Sequence, residues 1–150
     1  MNSGASFSDE ERQFIESHRV ARLATADAQA APHVVPIVYA LVDDDIYFVI
    51  DEKPKKTRRG LKRLKNIAVN PRVAVIIDEY HDDWTRLAYL LIEGTAAEVD
   101  DVTAYARVIE ELRRRYPQYR SMELSHDRNP MLRIVAARRH FWRAASSAVG

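Results

Sequence analysis

The sequence predicts a mainly β protein of the α+β class, a small barrel of about six antiparallel strands with helices packed on its outside. Three observations lead there. The apolar stretches are strand-sized, rich in Val, Ile and Tyr, and bounded by turn-forming residues. They follow one another in hairpin-like order, with too few helical crossovers for a parallel sheet. At 150 residues, with 47% hydrophobic and 30% charged side chains, the chain has the size of one domain spanning residues 1–150.

Ser8 followed by Glu11 has the spacing of a capping box, and Phe14 and Ile15 then give a short helix an apolar face up to about His18. The alternation in VARLATAD predicts a strand over Arg19 to Ala26, ended by the turn-prone DAQAAP. HVVPIVYALV, from His33 to Val42, is expected to form a second strand, paired through an acidic turn at Asp43, Asp44 and Asp45 with a third, IYFVID. Pro36 cannot donate to a sheet ladder, so its strand should be an edge or bulged there, and a ligand could approach the backbone. From Arg58 to Val69, Leu61, Leu64, Ile67 and Ala68 recur at helical spacing, with the basic residues on and beside the exposed face. Asn70-Pro71 stops that helix. RVAVIIDEY reads as a buried strand, HDDW as a loop, and TRLAYLLIEGTAAEV as a long strand in which Gly94 marks a bulge or bend. Tyr105, Val108, Ile109 and Leu112 predict a helix over Asp101 to Tyr116, closed by Pro117. After the polar SMELSHDRNP, the segment MLRIVAARRHFWRA supplies the last strand, in which Trp142 reads as core. Trp84, beside the acidic loop, could border a ring-shaped ligand or simply sit in solvent.

Charge is unevenly placed. The stretch KPKKTRRGLKRLKNIAVNPR holds eight cations between Lys53 and Lys65 and no acid; removing those eight from the 23 lysines and arginines leaves 15 against 22 acidic residues. The net charge is only +1 and the isoelectric point about 8.0, whereas a domain built to coat DNA is usually strongly basic and carries a reading helix or stacking platform. A membrane-surface helix would need apolar anchors that the core claims here, and no apolar run approaches the roughly 20 residues of a spanning helix. The first residues lack the apolar run of a signal peptide, and cysteine is absent, which fits the cytoplasm. His18, His33, His81, His126 and His140 show no metal-ligand spacing, and neither a nucleophile elbow nor a phosphate-loop glycine pattern occurs. No acid, base or nucleophile constellation stands out, so any redox chemistry would come from a cofactor. For the basic stretch, a solvated helix face competes with a site for one anion. The second reading draws on the cations' place at a strand–loop–helix junction, with Thr57 and Gly60 among them, where free backbone N–H groups and the helix dipole favour phosphate.

In order, VARLATAD, APHVVPIVYAL, IYFVIDEKPKK, LKRLKNIAVNPRVAVIIDEY, DDW and LIEGTAAEV resemble the split β-barrel flavin-binding superfamily typified by pyridoxamine 5'-phosphate oxidase, of the FMN-binding split barrel type, and more closely its coenzyme F420-dependent oxidoreductases. The resemblance implies a six-stranded split barrel and a homodimer with a cofactor at each of two equivalent interface sites. It implies F420, or alternatively FMN, as cofactor, and hydride transfer to a small unsaturated or quinone-like substrate. The phosphate would be held by the basic loop, here Lys55, Lys56, Thr57, Lys62 and Arg63. The ring would lie near Val35, Pro36, Ile37, Ile50 and Asp51, with Trp84 in reach of that site or of the partner's. Two departures stand out: the compact serine–arginine–lysine phosphate signature is absent, and so are the family's C-terminal substrate-phosphate residues.

Overall fold

The computed structural model describes residues 6–51 and 58–145. The first helix, α1 (Asp9–Ser17), is fixed by its cap: the Ser8 hydroxyl accepts the Glu11 backbone N–H at 3.1 Å while the Glu11 carboxylate accepts that of Ser8 at 2.8 Å. Strands β1 (Ala21–Ala26), β2 (Pro32–Ile37), β3 (Ala40–Val42) and β4 (Asp45–Val49) follow, then α2 (Arg58–Val69), β5 (Arg72–Glu79), β6 (Ala88–Glu98), α3 (Val102–Arg115) and β7 (Met131–Arg143). All neighbours pair antiparallel in the order β2-β1-β5-β6-β7-β4-β3. The result is the expected antiparallel half-barrel with flanking helices.

It has seven strands rather than six. The stretch from His33 to Val42, expected to be one strand, is two, and β2 and β3 form opposite edges of the sheet. The chain crosses between them at Val38 and Tyr39, where tertiary bonds override local β propensity. The Tyr39 side chain is fully buried, its hydroxyl donates to the carbonyls of Ile15 (2.6 Å) and His18 (2.9 Å), and its N–H donates to the Tyr116 hydroxyl (3.2 Å). Arg115, also buried, joins the same knot by donating to the carbonyls of Tyr39, Glu16 and His18. It thereby caps the C-terminal end of α1, whose last turn has no basic residue of its own. His18 adds a second tie, with Nε2 3.2 Å from the Glu79 carboxylate, whose other oxygen meets His81 Nε2 at 2.8 Å.

Pro36 falls on an edge strand, as its missing N–H requires. Gly94 marks a bulge, for the β6–β7 register shifts between Glu93 and Gly94. A Cβ there would sit 1.9 Å from the Val135 carbonyl oxygen, so no larger residue fits without backbone movement.

Two cores sit on either side of the β7-β4-β3 part of the sheet. Leu23, Val75, Leu90, Ile92, Phe48 and Ile134 fill the barrel with Phe14 and Ile15 of α1 and Ile67 of α2. Val42, Tyr47, Val49 and Met131 pack outward against Tyr105, Val108, Ile109 and Leu112 of α3. Trp142, expected in the core, is instead 39% exposed near the end of β7, on the outer face, stacked on Tyr89 across the ladder. No helix among the described residues is long and apolar enough to cross a membrane.

Candidate cofactor cleft

The last residue before α2's loop, Asp51, and the β2 edge are brought together by the barrel's closure, and a cleft of about 280 Å³ opens between them. Its walls are Pro36, Ile37 and Val38 on one side, Phe48, Val49 and Asp51 on another, with Val20, Arg63 and Tyr119 completing it. A second cleft of about 530 Å³ shares Val20, Val38, Asp51 and Tyr119 with the first and continues to Arg19, Arg115, Gln118 and Met122.

Among the described residues Arg63 is the cation of the first cleft, and at 8% exposure it is nearly buried. The helix that carries it turns an unusually polar face inward: Arg63, Asn66 and Ile67 are all buried while Lys62, Lys65 and Ala68 are exposed. Asn66 explains how such a face can pack, for its amide donates to the buried Thr25 hydroxyl at 3.1 Å and so registers α2 against β1. Burying a guanidinium is costly unless it is paired or hydrogen-bonded, and Arg63 is held by contacts of its own. Asp51 lines the same cleft, and its carboxylate accepts from the Tyr119 hydroxyl at 2.6 Å. Burial, then that bond, push the Tyr119 phenol well above the ordinary tyrosine range, so it stays a proton-bearing donor.

Of the eleven residues singled out in the sequence, Pro36, Ile37, Asp51 and Arg63 converge on this cleft. Val35 is half-buried with its side chain packed on the barrel core, and Ile50 is a core residue. Lys62 is exposed and near enough to Asp27, in the β1–β2 turn, to help hold that carboxyl below its usual range, after its hydrogen bonds from Ala31 and Gln29. Trp84 stands 67% exposed in a short 3-10 turn, donating to the Tyr80 hydroxyl at 3.2 Å, and lines neither cleft. Lys55, Lys56 and Thr57 lie outside the described residues. Tyr119 and Asn66 escaped the sequence reading. Tyr119 follows a helix-ending proline and Asn66 sits on a helix otherwise read by its leucines, so only a polar residue at an inward position of α2 could have signalled the latter. Among the described residues no group of three or more His, Asp or Glu side chains could hold a metal ion.

The sequence matches the family described as pyridoxamine 5'-phosphate oxidase over residues 7–143, nearly its whole length. The chain belongs to that family. Solved structures agree at the level of fold with this pyridoxamine 5'-phosphate oxidase relative. A conserved hypothetical protein, Rv2991 from Mycobacterium tuberculosis, superposes with a TM-score of 0.74 at 24% identity, covering 100% of this chain and 94% of its own. HutZ, the heme storage protein from Vibrio cholerae, gives 0.68 at 18% identity over 93% and 95%. An FAD-binding protein from Mesorhizobium loti gives 0.65 at 22% identity over 90% and 94%. No curated protein matches the sequence.

Proposed function

We propose that this protein is a coenzyme F420-dependent oxidoreductase, a reductase that passes a hydride from reduced deazaflavin to a small unsaturated or quinone-like molecule. The observation that carries the reading is the nearly buried Arg63 guanidinium in a cleft whose other wall is the apolar Pro36–Ile37 edge. A cation at one end and a flat apolar wall at the other suit a phosphate joined to a ring. The donor set therefore fits a flavin-type cofactor, with Arg63 on the anion, Pro36 and Ile37 along the ring, and Lys55, Lys56, Thr57 and Lys62 available for the rest of the charge. F420 carries a phosphodiester and a polyglutamate tail, and the run of eight cations from Lys53 to Lys65 answers such a polyanion better than a single flavin phosphate. FMN is the alternative cofactor, favoured by the family match.

When bound, the deazaflavin supplies the hydride. The chain positions it, excludes water with Val20, Val38 and Phe48, and offers the adjoining cleft, floored by Val20, Val38 and Met122, to the acceptor. Its remaining work is electrostatic.

The functional unit is a homodimer. At about 280 Å³ the cofactor cleft lies at the low end of the roughly 300–1,000 Å³ of ligand pockets, and a second copy would enlarge it. The outer face of the sheet provides the surface. Pro36, Arg22, Ile76, Leu91 and His140 lie in one cross-strand row, and Tyr89 and Trp142 pair in another. Pro36 also lines the cleft, so this mixed face, with Arg22 between Pro36 and Ile76, reaches it. Light scattering on Ile76→Glu should show monomers where the wild type is dimeric, and a monomeric wild type would refute the arrangement.

Fluorescence titration of the purified protein with F420 and with FMN tests the cofactor: micromolar FMN binding without F420 binding reverses their order. Reduced F420 offered with quinones, enones and tetrapyrroles then tests turnover, and persistent failure to oxidise it would leave a cofactor carrier or sensor in place of an enzyme.

A further inference from the structure

We infer that Asp51 and Tyr119 make the cleft selective for a dipolar ligand, one that presents an anion to Arg63 and a hydrogen-bond donor, a ring imide N–H or a sugar hydroxyl, to Asp51. The inference rests on the cofactor reading above and assigns it a second recognition point. A carboxylate in a cleft meant for a polyanion is a liability, since like charges repel and the effect grows as water is excluded. Asp51 nonetheless lines both clefts, at the point where they meet. It is also held there: its Oδ2 accepts from the buried Tyr119 hydroxyl at 2.6 Å. Among the described residues the Tyr119 hydroxyl is Asp51's hydrogen-bond partner, and a carboxylate can accept more than that one bond. Because burial keeps the phenol protonated, Tyr119 can only donate, so Asp51 is fixed as the acceptor of the pair. A bare anion gains from Arg63 and loses from Asp51. A ligand with a donor at the right distance gains from both, through a charge-assisted hydrogen bond. Tyr119 is thus a positioning residue, and Asp51 the one that discriminates.

Calorimetry on the full chain separates these effects with two probes: inorganic pyrophosphate, a bare anion, and F420 or, where the wild type binds it more tightly, FMN. Asp51→Asn should weaken cofactor binding about tenfold, the loss expected of a charged hydrogen bond, and should strengthen pyrophosphate binding. Tyr119→Phe should move both affinities in the same senses by less, an opposed response that a merely structural role would not produce. Gains for both probes would make Asp51 only a repelling neighbour, losses for both would make it structural, and no change in either would put it outside the site; each overturns the inference. A wild type that binds neither cofactor overturns the cofactor reading as well, whereas cofactor binding that is unaffected by Asp51→Asn overturns this inference alone.

Discussion

Replacing Arg63 by methionine removes the cleft's described cation while keeping a side chain of similar length in its nearly buried berth. Because removing one member of a buried charged contact can destabilise a fold and Arg63 has contacts of its own, circular dichroism and a thermal melt first establish that the variant folds. Its cofactor should not bind as well. A guanidinium–phosphate contact is a charge-assisted hydrogen bond worth about 1.5–3 kcal/mol, which corresponds to a Kd raised roughly 10- to 150-fold. Riboflavin, which has the ring of FMN without its phosphate, provides the control. Flavin fluorescence titration should show FMN affinity falling by that factor in Arg63→Met and riboflavin affinity staying within about twofold, a change of under ~0.5 kcal/mol. Equal losses for the two ligands would show that Arg63 shapes the cleft without touching an anion, and equal affinities before and after would remove it from the site. Arg63→Lys should recover part of the loss, since a lysine keeps the charge but not the two-pronged geometry.

Gly94→Ala drives a Cβ to 1.9 Å from the Val135 carbonyl and should cost about 2–4 kcal/mol, lowering the melting temperature by roughly 5–15 °C in a chain of this size; an unchanged melt would mean that the bulge relaxes freely. The hydrogen bond from His81, opposed by burial and helped by His18, holds the Glu79 carboxyl below its usual range. That stability is therefore present above the unfolded carboxyl value of about 4.3 and lost as pH falls through the folded value. Glu79→Gln should flatten the acid limb of melting temperature against pH, and an identical limb would refute the coupling. Tyr105, pushed up to about 12 by burial, donates to the Asn129 carbonyl at 2.7 Å. Its contribution is present below the ordinary tyrosine value of about 10 and lost as pH rises toward the folded value. Burial also raises Tyr39, Tyr47 and Tyr119, so absorbance titration at high pH should show one fewer late-ionising tyrosine in Tyr105→Phe than in the wild type, and an unchanged number would refute the assignment.

Local chemistry made much of the fold readable. Ser8 and Glu11 announce α1, Pro36 an edge, Gly94 a bulge, and Asn70-Pro71 the end of α2, because each is a residue whose backbone or side-chain bonding admits few settings. The crossing at Val38 and Tyr39 was hidden, since the bonds that bend the chain there come from Ile15, His18 and Tyr116, far away in sequence. The site divides in the same way. Arg63 stood out as one of the clustered cations and Asp51 entered only through the family resemblance, as a neighbour of the ring, but their shared cleft also takes in Tyr119, 68 residues after Asp51. Trp142 misled because an apolar neighbourhood in sequence does not say which face of a strand is covered. Its own ladder partner, Tyr89, lies on the open side.

The last strand has a position of its own. Over its 13 residues β7 pairs with β6 along nearly its whole length and with β4 through Met131 to Val135, so it is the seam joining the two parts of the sheet. A nascent chain can assemble β1, β2, β5 and β6 as they emerge, since domains form progressively during synthesis, but the β3–β4 hairpin must wait more than 80 residues for its second neighbour. The wall that β4 contributes to the cleft is therefore built last. A chain cut before Met131 would present two bare strand edges and no berth for a coenzyme, and such edges recruit other molecules. Loss of a few C-terminal residues and loss of the whole seam should accordingly differ in kind, the first trimming a rim and the second yielding aggregates.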